Sequence, residues 1–348
     1  MKDILVSVII PVYNGEQYLK QCLNSVLQQT HQNLEIIIIN DKSPDNSQAI
    51  IDQFAKLDNR IISIVNKENK RAFVRHSGIE MAKGEFLLFL DQDDWLTKDA
   101  IQLLLHKIVA ENADVVYGVT ISVLDKYGII KRNNGNSCLK EIQTQSISKP
   151  ELFEKTYISY FGKNILRPSL LGNLYRKEVF ERAHFISRPS ALSSADLLLN
   201  LWVHPYLNKV CFVEDTVLYY RWGGMTNKAS PNYLPNMKKV FAIKMDAIQE
   251  FKYSKAIPYV KIELANIFYS HFLMLLQHSK MGKEDLKNLI SEELDTDWYV
   301  EAFNEMEEGR ALLIKEKKID EITEQIWSNY LKSKTNLKIK KFISKLLN

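Results

Sequence analysis

Three carboxylates, Asp91, Asp93 and Asp94, stand within four positions directly after the apolar run Phe86-Leu87-Leu88-Phe89-Leu90. A run that apolar asks for burial on both faces, as in a central strand covered by helices. Carboxylates at its end cannot share that burial unless a cation or a hydrogen-bond network compensates them. Strand ends of open α/β sheets are where ligands bind. Clustered acids with no Lys or Arg beside them in sequence point to a divalent cation with oxygen ligands. The structural alternative is that Asp93 or Asp94 caps a helix beginning near Leu96.

Other side chains could complete such a site. Tyr13 follows an apolar run and sits just before Asn14-Gly15, so its ring lies in a turn, where a flat ring could stack on a base. Asp41, in the loop Asp41-Lys42-Ser43-Pro44-Asp45, could accept a hydrogen bond from a pyrimidine N–H or a ribose hydroxyl; the alternative is an Asx-turn before Pro44. Arg75 falls on a helix leading into the acidic strand, where it could meet a phosphate or pair with Asp41. Asp196 opens an apolar helix over residues 197–203, and a first-turn acid is also what a helix dipole favours. No Gly-rich phosphate loop is present, which argues against a dinucleotide oxidoreductase or a P-loop enzyme. Bound phosphates would then need a metal on the carboxylates to carry much of their charge.

The elements that must position these residues alternate. Residues 6–12, 34–39, 61–65, 86–90 and 115–117 read as strands; 16–29, 45–57, 71–83 and 96–112 read as helices, the second capped by Asp45 or Ser47. Such alternation implies a parallel sheet covered on both faces. Right-handed crossovers place the strand ends on one rim, gathering Tyr13-Asn14, Asn40-Asp41 and 91–94 into one cleft. Beyond it, 121–130 reads as a hairpin around Lys126-Tyr127-Gly128, 132–148 as a polar mobile loop and 150–161 as a helix. Residues 210–213 and 217–220 are β-rich. From Pro231 the pattern is helical: 237–251, 257–278, 283–293, 298–316 and 319–330. Residues 332–348 carry six lysines and no acid, with Ile339, Phe342, Ile343, Leu346 and Leu347 at helical spacing. That pattern suits an anionic membrane surface, or packing on the chain's own domain or a partner subunit.

Composition bounds the class. The chain has 348 residues, 46% hydrophobic and 25% charged, which fits a globular protein of two domains or one with an extension. A net charge of +4 is too small to argue for nucleic acid. Cys22, Cys138 and Cys211 show neither a disulfide framework nor zinc spacing, which fits a reducing compartment. The run Val6-Ser7-Val8-Ile9-Ile10 is too short for a signal-peptide core, and no apolar stretch reaches the length of a membrane span. The expectation is a cytoplasmic chain, at most peripheral at the inner face of the membrane through 332–348.

The first third resembles the nucleotide-binding half of glycosyltransferase family 2, the inverting enzymes of the GT-A fold. The matches are Val8-Ile9-Ile10-Pro11-Val12-Tyr13-Asn14, then Asn40-Asp41, Arg75 with Gly78, Gly84-Glu85, and Leu90-Asp91-Gln92-Asp93-Asp94-Trp95, the last being the family's D-x-D motif. The sequence departs from the family at Lys42-Ser43-Pro44, where Gly-Ser-Thr is common, at His76, where Asn usually follows the Arg, and at Ala195, the first member of the acidic pair that sits before the base.

The resemblance implies an α/β GT-A fold, Rossmann-like, with a mostly parallel sheet covered by helices and a C-terminal helical extension. The GT-A domain spans 1–228, divided into a nucleotide-binding half, 1–118, and an acceptor half, 119–228; 229–348 is a helical accessory domain. The implied reaction is metal-dependent inverting transfer of one hexose or N-acetylhexosamine from a nucleotide-diphosphate sugar, UDP-linked, to a hydroxyl of a glycan or glycoprotein. Mn²⁺ or Mg²⁺ would lie on Asp91 and Asp93. Pro11, Tyr13, Asn14, Asp41, Arg75, Asp91, Gln92, Asp94, Arg221 and Trp222 would contact the nucleotide sugar, the loop at Arg221-Trp222-Gly223-Gly224 as a lid. Asp196 would be the general base. Arg221-Trp222 lacks the Gln of the processive Q-x-x-R-W pattern, which favours single transfer. Oligomerisation stays open. A non-catalytic nucleotide-sugar-binding or scaffold protein on the same fold is the alternative, favoured by Ala195 alone; a sugar-phosphate nucleotidyltransferase would want a Gly-rich basic loop that Val12-Tyr13-Asn14-Gly15 does not supply.

Overall fold

The structure is a computed structural model. It describes residues 3–67, 73–123, 131–133, 144–163, 165–188, 194–221 and 232–346, with the side chains of 131–133 and 335–346 excluded. The chain divides into two compact units, Met1–Asn227 and Lys228–Asn348.

In the first unit, β1 (Val6–Val12), β2 (Leu34–Asn40), β3 (Ile61–Val65) and β4 (Phe86–Phe89) form the parallel part of one mixed sheet. Their pairing puts Val8 beside Ile36 on one side and Leu88 on the other, so β1 is central. β1, β2 and β4 are almost wholly apolar because helices cover both faces. Those helices are α1 (Leu19–Leu27), α2 (Ser47–Leu57), α3 (Val74–Met81) and α4 (Ala100–Ala110).

The sequence pattern missed some boundaries. Residues 16–18 are turn, Tyr18 N–H donating to Gly15 O, so α1 starts later than expected. Trp95–Leu96 is a short strand, β5, and not the start of a helix. The expected caps also differ: α4 begins after Asp99, without a side-chain cap, so Asp93 and Asp94 are not capping residues.

The sheet is also mixed where the alternation suggested parallel strands throughout. β6 (Val115–Val123) does not join β4. Instead β9 (Asn173–Arg176) lies between them, antiparallel to both. β10 (Lys209–Arg221), expected as two short runs, is one strand with register shifts between Phe212 and Leu218; it runs parallel to β6 and antiparallel to β5. The strand order is β3-β2-β1-β4-β9-β6-β10-β5. β7 (Lys131–Asn133) pairs antiparallel with β6; the turn expected around Lys126-Tyr127-Gly128 lies outside the described residues. Part of the expected polar loop is strand: β8 (Ser146–Ser148) pairs with β10. Then come α5 (Glu151–Thr156), a 3-10 turn to Phe161, α6 (Glu178–Arg182) and α7 (Ala195–Val203).

The second unit is helical: α8 (Tyr233–Glu250), α9 (Ile257–His278), α10 (Lys283–Glu293), α11 (Trp298–Ala302), α12 (Gly309–Lys315) and α13 (Ile319–Leu346). The single helix expected over 298–316 is two, because the backbone turns left-handed at Glu305 (φ +65°) between them and at Gly309 (φ +70°), where the second begins. Its core gathers Leu264, Phe268, Phe272, Ile290, Tyr299 and Ile322. Among the described residues no helix is long and apolar enough to cross a membrane.

Candidate active site

The ends of β1, β2 and β4 deliver Tyr13, Asp41 and the acidic turn 91–94 to one rim, and hydrogen bonds lace these loops together. The Gln92 carboxamide takes both backbone groups of Tyr13: Tyr13 N–H donates to Oε1 at 2.8 Å and Nε2 donates to Tyr13 O at 2.7 Å. Gln92, expected to contact a ligand, is therefore buried and occupied as the splice between the first and fourth strand ends. Gly15 makes room for it, since a Cβ there would lie 2.7 Å from Gln92 Cδ. Asn14, in the left-handed region at φ 56°, donates its N–H to Ser43 Oγ at 3.1 Å. Gly15 N–H donates to Ser47 Oγ at 2.9 Å, and Glu16 N–H to Asp45 Oδ2 at 2.9 Å. Asp45 Oδ1 also accepts the Ser47 N–H at the start of α2. Pro11 lies in register with Ile39, one step below this lacing.

Asp41 is buried, its N–H donating to Val12 O and its Oδ1 accepting Asn66 Nδ2 at 2.8 Å. Its neighbour ties the loop: Asn40 Oδ1 accepts the Ser43 N–H at 2.9 Å, three residues on. The Asp41 carboxylate lies beside Asn66.

Arg75 does not pair with Asp41. Its Nη2 lies 2.6 Å from Asp91 Oδ1 and 3.4 Å from Asp196 Oδ1. Burial disfavours its charge, and Asp196 and Asp91 more than offset that. Its Nε is buried without a hydrogen-bond partner among the described residues. Asp196, in the first turn of α7, accepts the Leu170 N–H on Oδ2 at 3.3 Å. Asp91, at the mouth of the cleft, and Asp196, on the opposite half of the sheet, are thus brought to one guanidinium. Glu214 and Asp215, two further acids on β10, are exposed at its register shift, well back along the strand from Arg221.

The acids Asp91, Asp93 and Asp94 place ligand oxygens within 4.8 Å of one another. Burial raises the pKa of each. For Asp91, Arg75 opposes the rise while Asp196 and Asp93 add to it. Asp93 is raised chiefly by burial. Asp94 is pushed up to about 9 by burial and then by the charges of Asp91 and Asp93, with the Arg221 backbone N–H pulling back. Asp94 Oδ2 is buried with no hydrogen-bond partner among the described residues. An all-oxygen donor set with excess negative charge and an orphaned oxygen fits a hard divalent cation.

Arg221 closes the far side, though not as a free lid group. Its N–H donates to Asp94 Oδ1 at 2.8 Å, its Nε to Asp93 O at 3.1 Å and its Nη2 to Gln21 Oε1 at 2.7 Å. Its guanidinium stacks over Tyr18 and Trp95, 4.6 and 4.8 Å from their ring centres. Buried among aromatic faces, it fixes the acidic turn from behind. Trp222 and the Gly223-Gly224 loop lie outside the described residues. The sequence reading missed Gly15, Gln21, Asn66 and the Gln92 splice; the Gly after Asn14 was the one local signal for them.

Comparisons with known proteins agree with this geometry. The model of the family described as "Glycosyl transferase family 2" matches residues 7–183, just over half of the chain. The chain is 31% identical over 219 residues to glycosyltransferase GlyA of Streptococcus pneumoniae, the match covering 63% of this chain and 31% of that protein. It is 30% identical over 228 residues to glycosyltransferase GlyG of the same organism, covering 62% and 70%. The chain therefore spans about a third of GlyA's length. Among solved structures, S. aureus TarS 1-349 in complex with UDP-GlcNAc superposes with a TM-score of 0.67 at 19% identity, over 95% of this chain and 92% of that one. At that identity the likeness is one of fold, and it is the GT-A-like architecture with a helical C-terminal part.

Proposed function

The chain belongs to glycosyl transferase family 2, and from that premise we propose that it moves one sugar from a UDP-linked donor to a hydroxyl of a glycan or glycoprotein, with inversion. The observation that carries this reading is the shared guanidinium of Arg75, one nitrogen of which meets both Asp91 of the D-x-D turn and Asp196 of the acceptor half. The complex of the neighbour TarS with UDP-GlcNAc supports the choice of donor class.

In this reading Tyr13 offers a stacking face and Asp41, steadied by Asn66, accepts from the nucleoside. Asp91 and Asp93 hold Mn²⁺ or Mg²⁺, which when bound offsets the charge of the departing diphosphate. Arg75 Nε keeps a donor for the same oxygens. Asp196 accepts the proton of the acceptor hydroxyl as that oxygen attacks the anomeric carbon in line and UDP leaves from the opposite face. Gln92, Asp94 and Arg221 hold the acidic turn in place. We also propose that 332–348 attaches the chain to an anionic membrane surface on the cytoplasmic side; the lysine-only charge of that stretch supports it. The test of the central reading is a screen of UDP- and other nucleotide-sugars for Mn²⁺-dependent hydrolysis, which needs no acceptor. Turnover of a UDP-sugar is expected, and no metal-dependent turnover of any nucleotide-sugar would remove the reading.

A further inference from the structure

Helix α7 carries a second polar side chain, Asn200, four residues after Asp196 and so one turn along the same face. Asn200 is 3% exposed, and a carboxamide that buried requires partners at both ends. It has them. Nδ2 donates to the carbonyl of Pro168 at 3.0 Å, and Oδ1 accepts the Tyr175 hydroxyl at 3.0 Å. Burial holds that hydroxyl well above the usual tyrosine range, so it stays a donor.

The loop fastened in this way is the one that reaches Asp196. Leu170 N–H donates to Asp196 Oδ2 at 3.3 Å. Between Pro168 and Leu170, the Ser169 carbonyl accepts Asn173 Nδ2 at 2.9 Å. Leu171 then bridges to Phe89, the end of the strand that delivers Asp91. The loop therefore runs from α7 to the acidic strand with each residue tied. The Asp196 carboxylate is thus oriented from two sides, Oδ2 by the loop and Oδ1 by Arg75.

We propose that Asn200 is a positioning residue for Asp196: by fixing residues 168–171 it makes the Leu170 N–H set the orientation in which the Asp196 carboxylate receives the acceptor proton. This rests on the reading of Asp196 as the base. A reacting group displaced by about 1 Å can lose roughly 10²-fold in rate. The donor contacts on β1, β2 and β4 are untouched by such a shift, so the loss falls on kcat.

The experiment is a double-mutant cycle on the full chain. It follows Mn²⁺-dependent hydrolysis of the UDP-sugar that the wild type turns over fastest, with water in the acceptor's place. Asn200→Ala should lower kcat roughly 10- to 100-fold, with donor KM and the UDP dissociation constant within about 3-fold of wild type. Added to Asp196→Asn, it should lower kcat no further, because it acts through that carboxylate. Wild-type kcat in Asn200→Ala beside an inactive Asp196→Asn, or losses that simply multiply, overturns the inference and leaves the base assignment standing. Full activity in Asp196→Asn instead removes the base assignment itself. Tyr175→Phe, which removes the hydroxyl's bond to Asn200 and its longer one from Asn173 at little cost in volume, should lower kcat several-fold in the same pattern and decides the matter if Asn200→Ala does not fold. Amide hydrogen exchange over 166–172 gives a readout independent of turnover: it should quicken in the variants, and unchanged exchange overturns the inference.

Discussion

Asp91 and Asp196 are held by the same nitrogen of Arg75, at 2.6 and 3.4 Å. The two acids come from opposite halves of the sheet, one from the turn after β4 and one from the start of α7. The guanidinium lets them approach without mutual repulsion deciding their positions. It also separates their proposed tasks: Asp91 lies beside the other acids of the D-x-D turn, while Asp196 meets the Leu170 N–H and Arg75 among the described residues.

If Asp196 is the base, Asp196→Asn keeps the donor site, because the change is nearly isosteric and lies outside the nucleotide motifs. Dissociation constants for UDP and Mn²⁺ should stay within a few-fold of wild type, while the transfer rate falls by roughly 10²–10⁴. As a mere helix-start acid it would be served nearly as well by Asn, with a stability loss of about 1 kcal/mol or less and activity kept. Near-normal turnover by the folded variant would refute the assignment.

Asp93→Ala should abolish turnover and remove the metal dependence of UDP binding. Burial raises the pKa of all three acids, and Arg75 and Arg221 offset that rise only in part, so a bound divalent ion should relieve the cluster. Calorimetry with UDP, with and without Mn²⁺, decides; equal metal dependence in wild type and variant would sink the metal site.

Gly15→Ala tests the splice between the strand ends. The new methyl would overlap the Gln92 carboxamide, which could escape only by giving up its two bonds to Tyr13. The expected cost is about 1–3 kcal/mol of stability, with weaker UDP binding, because the Tyr13 backbone loses its support. Wild-type thermal stability together with wild-type UDP affinity would show that the splice is dispensable.

The nucleotide half was legible because its chemistry sits at the ends of uniformly apolar strands, each followed by a polar turn. Val6–Val12, Leu34–Asn40 and Phe86–Phe89 announce both the sheet and its rim. What the pattern could not give was long-range pairing. Nothing local to Asn173–Arg176 says that it inserts antiparallel between β4 and β6, and that insertion carries the Pro168–Leu171 loop to Asp196. Trp95-Leu96 was misread because its partner, Leu218-Tyr219, is supplied from far along the chain. Arg75 was placed on the right helix, but of the two partners considered for it Asp41 is not the acid it meets, since helix phase alone does not say which strand end a long side chain reaches. The bonds of Gln92 to the Tyr13 backbone were illegible for a related reason: only the folded rim brings that backbone near.

Deleting 332–348 should leave donor hydrolysis intact and weaken attachment to vesicles containing anionic lipid. Co-sedimentation at low and high salt checks it, because an attraction between lysines and headgroups is screened. Equal vesicle binding by the full and shortened chains, or none by either, would favour packing on protein.

A pH effect on stability follows from His204, at the end of α7. Its ring is buried, with Nε2 2.8 Å from Thr156 Oγ1, and it packs on Tyr157 and Tyr160 at ring distances of 5.4 and 5.3 Å. Burial, with the positive charge of Lys149 adding, pushes its pKa down to about 3. In the unfolded chain a histidine titrates near 6.5. The unfolded state therefore takes a proton below about pH 6.5 that the folded state refuses, so the contribution is fully present above that pH and is lost as pH falls. Between neutrality and pH 4.5 the loss at this one site is roughly 3 kcal/mol, about two pH units below the unfolded pKa at about 1.4 kcal/mol each. His76 and His271, whose pKa values burial also lowers, act in the same sense. His204→Gln keeps a donor for Thr156 but has no proton to gain. Denaturant unfolding of both proteins across pH 7 to 4.5 should therefore show the wild type's advantage over the variant shrinking by roughly 3 kcal/mol. Parallel stability curves would mean that His204 is protonated in the folded state as readily as in the unfolded one.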